Sequence, residues 1–438
     1  MTLNPLTILT ALAVVLIGSL IGGRLAARMH VPRVTGYLVI GLLAGPSFAD
    51  LFGLPYAITP QALQELQLLT DVALVLILVT IGGQFRTETL RRWQQRIAYF
   101  SCGEIGLTFL TVAFATLVCN AFILKFSVPG MSLWQTSLFF SIFLGIIAIA
   151  TAPAATLMVI REYEAEGPAT SAILTLVGLN NFISIFTFAI AAHFLLHPAA
   201  DIGLLLAKLF GPILFGGMTG FILSVWAQRL ELKSEYKILI LGGVASCAAI
   251  SHWLDLDPLL TGRATGVVLA NRSPRWHLIR DTLREVDYPL YVAFFVVAGA
   301  NLHIETLGHI GIIGIAYVVA RTAGKILGSI WGAKMGQFDR EKGYHVGLSL
   351  LAQAGVAIGL ASSLASEWPE GGKLLETVVL GSVIVFELIG PLAVRHGLVR
   401  AGEVPILSLL QKKTPVGAVE GLHNVVHHFR VSLGMPEG

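Results

Sequence analysis

Thr151-Ala-Pro-Ala-Ala-Thr156 interrupts an apolar segment covering about residues 134–160, and the next apolar segment, 168–196, carries two adjacent amides, Asn180 and Asn181, in its middle. A helix break beside a polar pair at membrane depth is costly, because lipid cannot satisfy the freed backbone groups. Such a break persists only inside protein or beside a water-filled cavity. Thr151, Ala152, Pro153, Thr156, Asn180 and Asn181 therefore mark the functional centre of a membrane transporter. They also pose its main puzzle, since asparagine cannot bind and release a proton near neutral pH.

Composition bounds the class. Of 438 residues, 55% are hydrophobic and 13% charged, and the mean hydropathy is +0.78. Soluble domains carry about 25% charged residues. The chain reads as an all-α polytopic membrane protein whose environment is the lipid bilayer. The net charge of +3 does not point to nucleic acid, because the basic residues lie between apolar runs. Cys102, Cys119 and Cys247 are scattered and fit neither a disulfide framework nor a metal-ligand spacing. The N-terminus lacks the basic stretch of a signal peptide, so the first apolar run reads as a retained helix. Nothing suggests a cofactor, and there is no nucleotide-binding glycine motif or sizeable soluble domain to support an enzyme.

Thirteen candidate spans are predicted, at roughly 5–28, 33–49, 66–85, 97–123, 134–160, 168–196, 200–228, 235–252, 258–271, 289–303, 306–333, 343–366 and 375–399. Arginine and lysine test this count. Alternate loops, starting after the first span, hold twenty of them, and the opposite loops hold only Lys125 and Lys373. Cytoplasmic loops collect these residues. The N-terminus is thus expected outside, the C-terminus in the cytoplasm, and the location is the cell membrane. Residues 1–400 form the transmembrane domain and 401–438 a cytoplasmic tail. In the tail Leu422, Val425, Val426, Phe429 and Leu433 fall at helical spacing and predict a short amphipathic helix. Its His423, His427 and His428 have no further ligand type beside them to complete a metal site.

A second interruption mirrors the first. Gly347-Leu-Ser-Leu-Leu-Ala-Gln-Ala-Gly355-Val-Ala-Ile-Gly359 puts Gln353 among clustered glycines in span twelve. Spans four, five and six lie seven before eleven, twelve and thirteen, and an odd offset inverts topology. Paired breaks in two halves point to an inverted repeat with two crossing broken helices and a midplane site. Span eleven carries Arg321 and Lys325, which share a helix face. Buried cations need anions, water or carbonyl oxygens as partners. The acidic residues within the spans are Asp71, Glu104 and Glu387. Asp71 and Glu104 are placed nearer the membrane faces and read as structural. Glu387, on the repeat mate of the asparagine span, either pairs with Arg321 or Lys325 or takes part in transport. Asp255, Asp257 and Arg263 are expected to form a local ion network or entry funnel.

These residues resemble a known family. Thr35-Gly-Tyr-Leu-Val-Ile-Gly-Leu-Leu-Ala-Gly-Pro-Ser47, the Thr151–Thr156 break with Ile160-Arg-Glu-Tyr163, the Arg321/Lys325 face, Leu351-Ala-Gln-Ala-Gly-Val-Ala-Ile-Gly359 and Glu387-Leu-Ile-Gly-Pro391 are similar to the monovalent cation:proton antiporter superfamily. The branch is that of bacterial sodium/proton exchangers and potassium-efflux antiporters, and the resemblance spans about residues 5–400. It implies a homodimer with a dimerisation domain and a mobile core that moves like an elevator. It also implies Na⁺ or K⁺ and the proton as partners, with threonines and freed carbonyls of the first break helping to hold the cation. The sequence departs from the family at Asn180-Asn181, where exchangers carry Asp-Asp, or a neutral residue followed by Asp.

The residues leave several readings open. The proton carrier has moved, for example to Lys325, whose charged form burial disfavours, or to Glu387. Alternatively the site is silenced by paired Asp→Asn changes. A third reading is an anion or uncoupled transporter, because Arg321, Lys325 and the positive ends of half-helices favour an anion. A fourth is a transport-inactive sensor on the same fold.

Overall fold

A computed structural model describes residues 5–83, 85, 87–196, 201–337 and 340–405. The predicted tail helix with its three histidines lies outside these residues. The described chain is helical, with no strand among the described residues. In chain order the helices are α1 (Pro5–Arg28), α2 (Arg33–Ala44), α3 (Pro46–Phe52), α4 (Pro60–Gly82), α5 (Thr87–Val118), α6 (Leu133–Ile149), α7 (Pro153–Glu162), α8 (Pro168–Leu196) and α9 (Ile202–Ala227). They continue as α10 (Lys233–Trp253), α11 (Pro258–Arg272), α12 (Trp276–Ala300), α13 (Ile304–His309), α14 (Gly311–Met335), α15 (Arg340–Ser349), α16 (Gly355–Glu367) and α17 (Pro369–Arg400).

By length and composition, eight helical segments among the described residues can cross a membrane, or nine if the bent α2–α3 pair is one span. Helix lies within each of the thirteen predicted segments, but the count of thirteen crossings goes beyond this criterion. The shortfall has a physical source. α11 has only 15 residues, α10 and α12 carry their charges in their first halves, and the second broken element is divided into two pieces of 10 and 13 residues.

The helices pack as two interleaved groups. One comprises α5–α8 and α14–α17, and the other α1, α2, α4 and α9–α12. Within the first group α5 lies against α14 along a ladder of glycines. A Cβ added to Gly324, Gly328 or Gly332 would fall 2.7 Å from the Thr108 Cα, 2.9 Å from the Glu104 Cα and 2.4 Å from the Phe100 carbonyl oxygen respectively. Small residues at this spacing let helix backbones touch where lipid offers no hydrophobic drive between helices. The second group uses the same device. Gly266 of α11 sits against the Val79 carbonyl of α4, and Gly216 of α9 against the Thr261 carbonyl of α11.

Side-chain contacts gather the chain's turns at two ends. At the arginine-rich end the Arg33 N–H donates to Glu162 at 2.8 Å, Arg161 pairs with Asp287, and Lys237 meets Glu285 at 2.9 Å. At the other end Ser47 donates to Glu305 at 2.5 Å. The arginine-rich end also anchors the residue that leads into the tail. The Glu403 carboxylate accepts from the Ala169 and Thr170 N–H groups at 2.7 and 2.6 Å and from the Thr170 hydroxyl at 2.7 Å. It thus caps the N-terminus of α8 from 233 residues away, where the helix dipole favours an anion. Glu403→Gln removes the charge and one acceptor oxygen, so we expect a loss of about 1–2 kcal/mol, read as a lower melting temperature of the purified protein.

Candidate ion-translocation site

The first broken element ends α6 at Ile149, passes through extended Ala150–Ala152 and restarts at Pro153, the first residue of α7. Proline is tolerated there because its missing N–H has no partner in the first turn anyway. The second runs from α15 through residues 350–354 to α16. The two breaks touch, with the Ala152 N–H donating to the Ala352 carbonyl at 2.8 Å.

A helix that stops mid-membrane leaves its last carbonyls without partners. Here side chains supply them in sequence. Ser184 donates to the Ile146 carbonyl at 2.9 Å, Gln353 Nε2 to Ile147 at 3.1 Å and Arg321 Nε to Ala148 at 3.0 Å. Lys325 Nζ donates to Ile149 at 2.7 Å, Arg321 Nη2 to Ala150 at 2.8 Å and Asn181 Nδ2 to Thr151 at 2.7 Å. Arg321 Nη1 also reaches the Leu351 carbonyl at 2.7 Å, so one guanidinium staples both breaks. Its Cζ lies 4.3 Å from the centroid of the Phe386 ring. Thr156 turns inward and donates to the Ala152 carbonyl at 3.0 Å.

The structure thus brings together Thr151, Ala152, Pro153, Thr156, Asn180, Asn181, Arg321, Lys325 and Gln353. It corrects the expected pairing of the acids. Glu104 lies beside the first break, against Lys325. It is fully buried, and its Oε1 lies 2.6 Å from Lys325 Nζ. The reason is the glycine ladder, which brings α5 against the Lys325 face of α14. Lys325 also donates to Thr151 Oγ1 at 3.2 Å, so two hydrogen bonds and one ion pair hold its ammonium. Glu387 pairs with neither cation. It is buried, and its Oε2 has no hydrogen-bond partner among the described residues.

The two asparagines differ in role. Asn181 grips the backbone of Thr151 from both sides, accepting its N–H at 3.0 Å and donating to its carbonyl at 2.7 Å. Asn180 donates to Thr151 Oγ1 at 3.3 Å, and its Oδ1 has no partner among the described residues. Gln353 donates to the Tyr317 hydroxyl at 2.8 Å and also has a free oxygen.

The expected network of Asp255, Asp257 and Arg263 does not form. Asp257 caps α11 through the Leu260 N–H at 2.8 Å, and no carboxylate among the described residues lies within ion-pair distance of Arg263. Arg263 points instead at α8, because α11 is held by glycine contacts to α4 and α9 and its remaining face looks that way.

Cavities flank the site at opposite ends. One of about 780 Å³ lies at the arginine-rich end below α7, lined by Arg161, Glu162, Asp287 and Tyr291 among others. Another of about 760 Å³ lies at the far end between α8, α9 and α16, lined by His193, Lys208, Asp257 and Glu367. This second cavity reaches Ile185, one helical turn from Asn181, and the open sides of Gly355 and Gly359.

The family described as sodium/hydrogen exchanger, transmembrane, matches residues 12–398, and the chain belongs to it. Over 367 residues the chain is 21% identical to the Na(+)/H(+)-K(+) antiporter GerN of Bacillus cereus, covering 81% of this chain and 89% of that one. It is 20% identical to the probable Na(+)/H(+) antiporter GerT of the same organism, over 80% and 89% of the two chains. Two structures of the sodium proton antiporter MjNhaP1 from Methanocaldococcus jannaschii share the fold. One matches with a TM-score of 0.69 at 16% identity over 93% of this chain and 98% of that one. The other, at pH 8, matches with 0.65 at 17% identity over 93% and 99%. The chain is therefore a multi-pass membrane secondary transporter of the cation/proton antiporter type and not an enzyme.

Proposed function

We propose that this protein exchanges Na⁺ or K⁺ for protons at the crossing of the two broken helices, as a homodimer in the cell membrane with its N-terminus outside. The helices α5–α8 and α14–α17 form the mobile core. The others form the dimer scaffold against which the core moves like an elevator. The observation that carries this reading is the meeting of the two breaks beside Asn180 and Asn181, within a family match that covers both repeats. The Arg161–Asp287 pair and the Arg33–Glu162 bond join α7 to scaffold helices at the cytoplasmic end. In an elevator these contacts close one side of the pathway, and the cavity at the far end opens the other.

At the site, Asn180 Oδ1 and Thr151 Oγ1 are the oxygens offered to the cation. The backbone carbonyls of the break serve as structure, since side chains hold them. Asn180-Asn181 stands where the family's exchangers carry their ion-binding acids, so the proton must be carried elsewhere. Glu387 suits this better than Lys325. The Lys325 ammonium is held in its charged form by two oxygens and the Glu104 carboxylate, whereas Glu387 is buried with a free oxygen and no cationic partner among the described residues. The anion reading loses its support in the same contacts. All three guanidinium nitrogens of Arg321 and the ammonium of Lys325 are engaged by oxygens of the protein.

The test is proton flux in proteoliposomes under an imposed pH gradient, followed with a pH-sensitive dye as Na⁺, K⁺ and then chloride are added. We expect a response to a cation. Glu387→Gln should slow the coupled proton movement about tenfold or more, while leaving the unfolding free energy within about 0.5 kcal/mol of wild type, because no ion pair is broken. A response to chloride alone would support the anion reading, and silence to every ion a transport-inactive sensor.

A further inference from the structure

Arg263 is a buried cation of the site region with no carboxylate within ion-pair distance among the described residues; Asp257, which caps α11, acts on it only from beyond that distance. It is 7% exposed, and its one contact, Nη1 to the Gly178 carbonyl at 3.5 Å, is at the limit of a hydrogen bond. Nε and Nη2 have no partner. A guanidinium stays protonated in proteins, and an unpaired buried charge is strongly unfavourable. The group lines a cavity of about 310 Å³ between α8, α9 and α11 whose other walls are apolar, including Phe85, Phe182, Ile213, Leu260 and Val267. That volume is at the small end for ligand sites. The rim reaches the protein surface, where Phe182 is 37% exposed.

We propose that this seam binds an anionic amphiphile, an oxyanion carrying an alkyl chain, with Arg263 holding the oxyanion and the apolar walls holding the chain. Two free N–H groups of one guanidinium match two oxygens of a carboxylate or phosphate. The chain enters from the bilayer past Phe182. A molecule seated there wedges α8 against α11, one from each helix group. On the elevator reading of the transport cycle, it therefore slows the motion of the core.

The test uses the full chain, purified in a neutral maltoside detergent. It is titrated with oleate, dodecyl phosphate, phosphatidylglycerol, dodecanol and inorganic phosphate, and read by native mass spectrometry and thermal unfolding. One chain-bearing oxyanion should bind per protein chain and raise the melting temperature. Dodecanol and inorganic phosphate should not do so at the same concentration. Arg263→Gln should weaken binding tenfold or more. Val267→Trp, which fills the cavity but keeps the guanidinium, should do the same. Binding of oleate alone identifies a fatty acid, and binding of phosphatidylglycerol a membrane lipid; either supports the site. Unchanged affinity in both variants, or equal binding of dodecanol or inorganic phosphate, overturns it. These readouts do not involve transport, so they stand or fall apart from the antiporter reading. In an active transporter, flux unaffected by a bound amphiphile overturns the wedge.

Discussion

Asn181→Asp is expected to raise Na⁺- or K⁺-dependent proton movement above that carried by Glu387 and to make the protein's stability depend on pH. Asn181 accepts the Thr151 N–H and donates to the Thr151 carbonyl. A protonated aspartic acid can do both, since it has a carbonyl oxygen and an O–H donor. An ionised aspartate keeps the acceptor, loses the donor and sets a carboxylate oxygen against a carbonyl. The amide therefore makes the two hydrogen bonds that a protonated aspartic acid could make, and makes them at every pH. In the variant, stability should match wild type at acid pH, where the carboxyl keeps its proton. It should fall by about 1–3 kcal/mol as pH rises and the proton leaves, the cost of a buried group without its partner. A cation bound by the new carboxylate should restore it, by about 2.7 kcal/mol at a hundred times its dissociation constant. Melting temperature against pH, with and without Na⁺ or K⁺, reads all three effects. A flat profile, or loss of stability that neither cation repairs, would mean the position does not bind the transported ion.

Breaking the Lys325–Glu104 pair should have the largest structural cost. Both side chains are fully buried and 2.6 Å apart. Removing one partner of such a pair costs about 3–5 kcal/mol, because the other charge is left in the interior. Lys325→Met and Glu104→Leu are each expected to lower yield and melting temperature sharply. The double variant Lys325→Met with Glu104→Leu should recover much of the loss, since replacing both charges by apolar groups is often close to neutral. A double-mutant cycle by thermal unfolding measures the coupling. The same double variant separates the two proton carriers. If Glu387 carries the proton, cation-dependent flux of the double variant keeps its pH dependence. A pH dependence that vanishes with Lys325 would assign the proton to the lysine.

How much was legible in the sequence differs between fold and site. Composition, the Pro153 break, its partner around Gln353 and the alternation of arginines are local or periodic signals, and they led to a helical membrane transporter with paired interruptions. The family match over residues 12–398 agrees with that reading. The role of Glu104 was not legible. It is 221 positions from Lys325, and nothing in its own neighbourhood distinguishes a membrane-face acid from a buried one. The signal lay on the other helix, in Gly324, Gly328 and Gly332, whose spacing marks a close helix contact without naming its partner. Glu403 was missed for the same reason, since its ligands are N–H groups at the start of α8.

The sequence by itself determined that the chain folds as helices in a membrane and that two of them stop at mid-depth, because lipid penalises every unpaired backbone group and the residues that tolerate a break are visible in one dimension. Only the tertiary structure decided which side chain meets which freed carbonyl. Those choices depend on where two helices touch across 170 to 210 residues of chain, as for Lys325 with Ile149 and Gln353 with Ile147. They also decided that Asn181 grips a backbone, that Lys325 is already paired, and that Glu387 and Arg263 are left with free polar atoms for function.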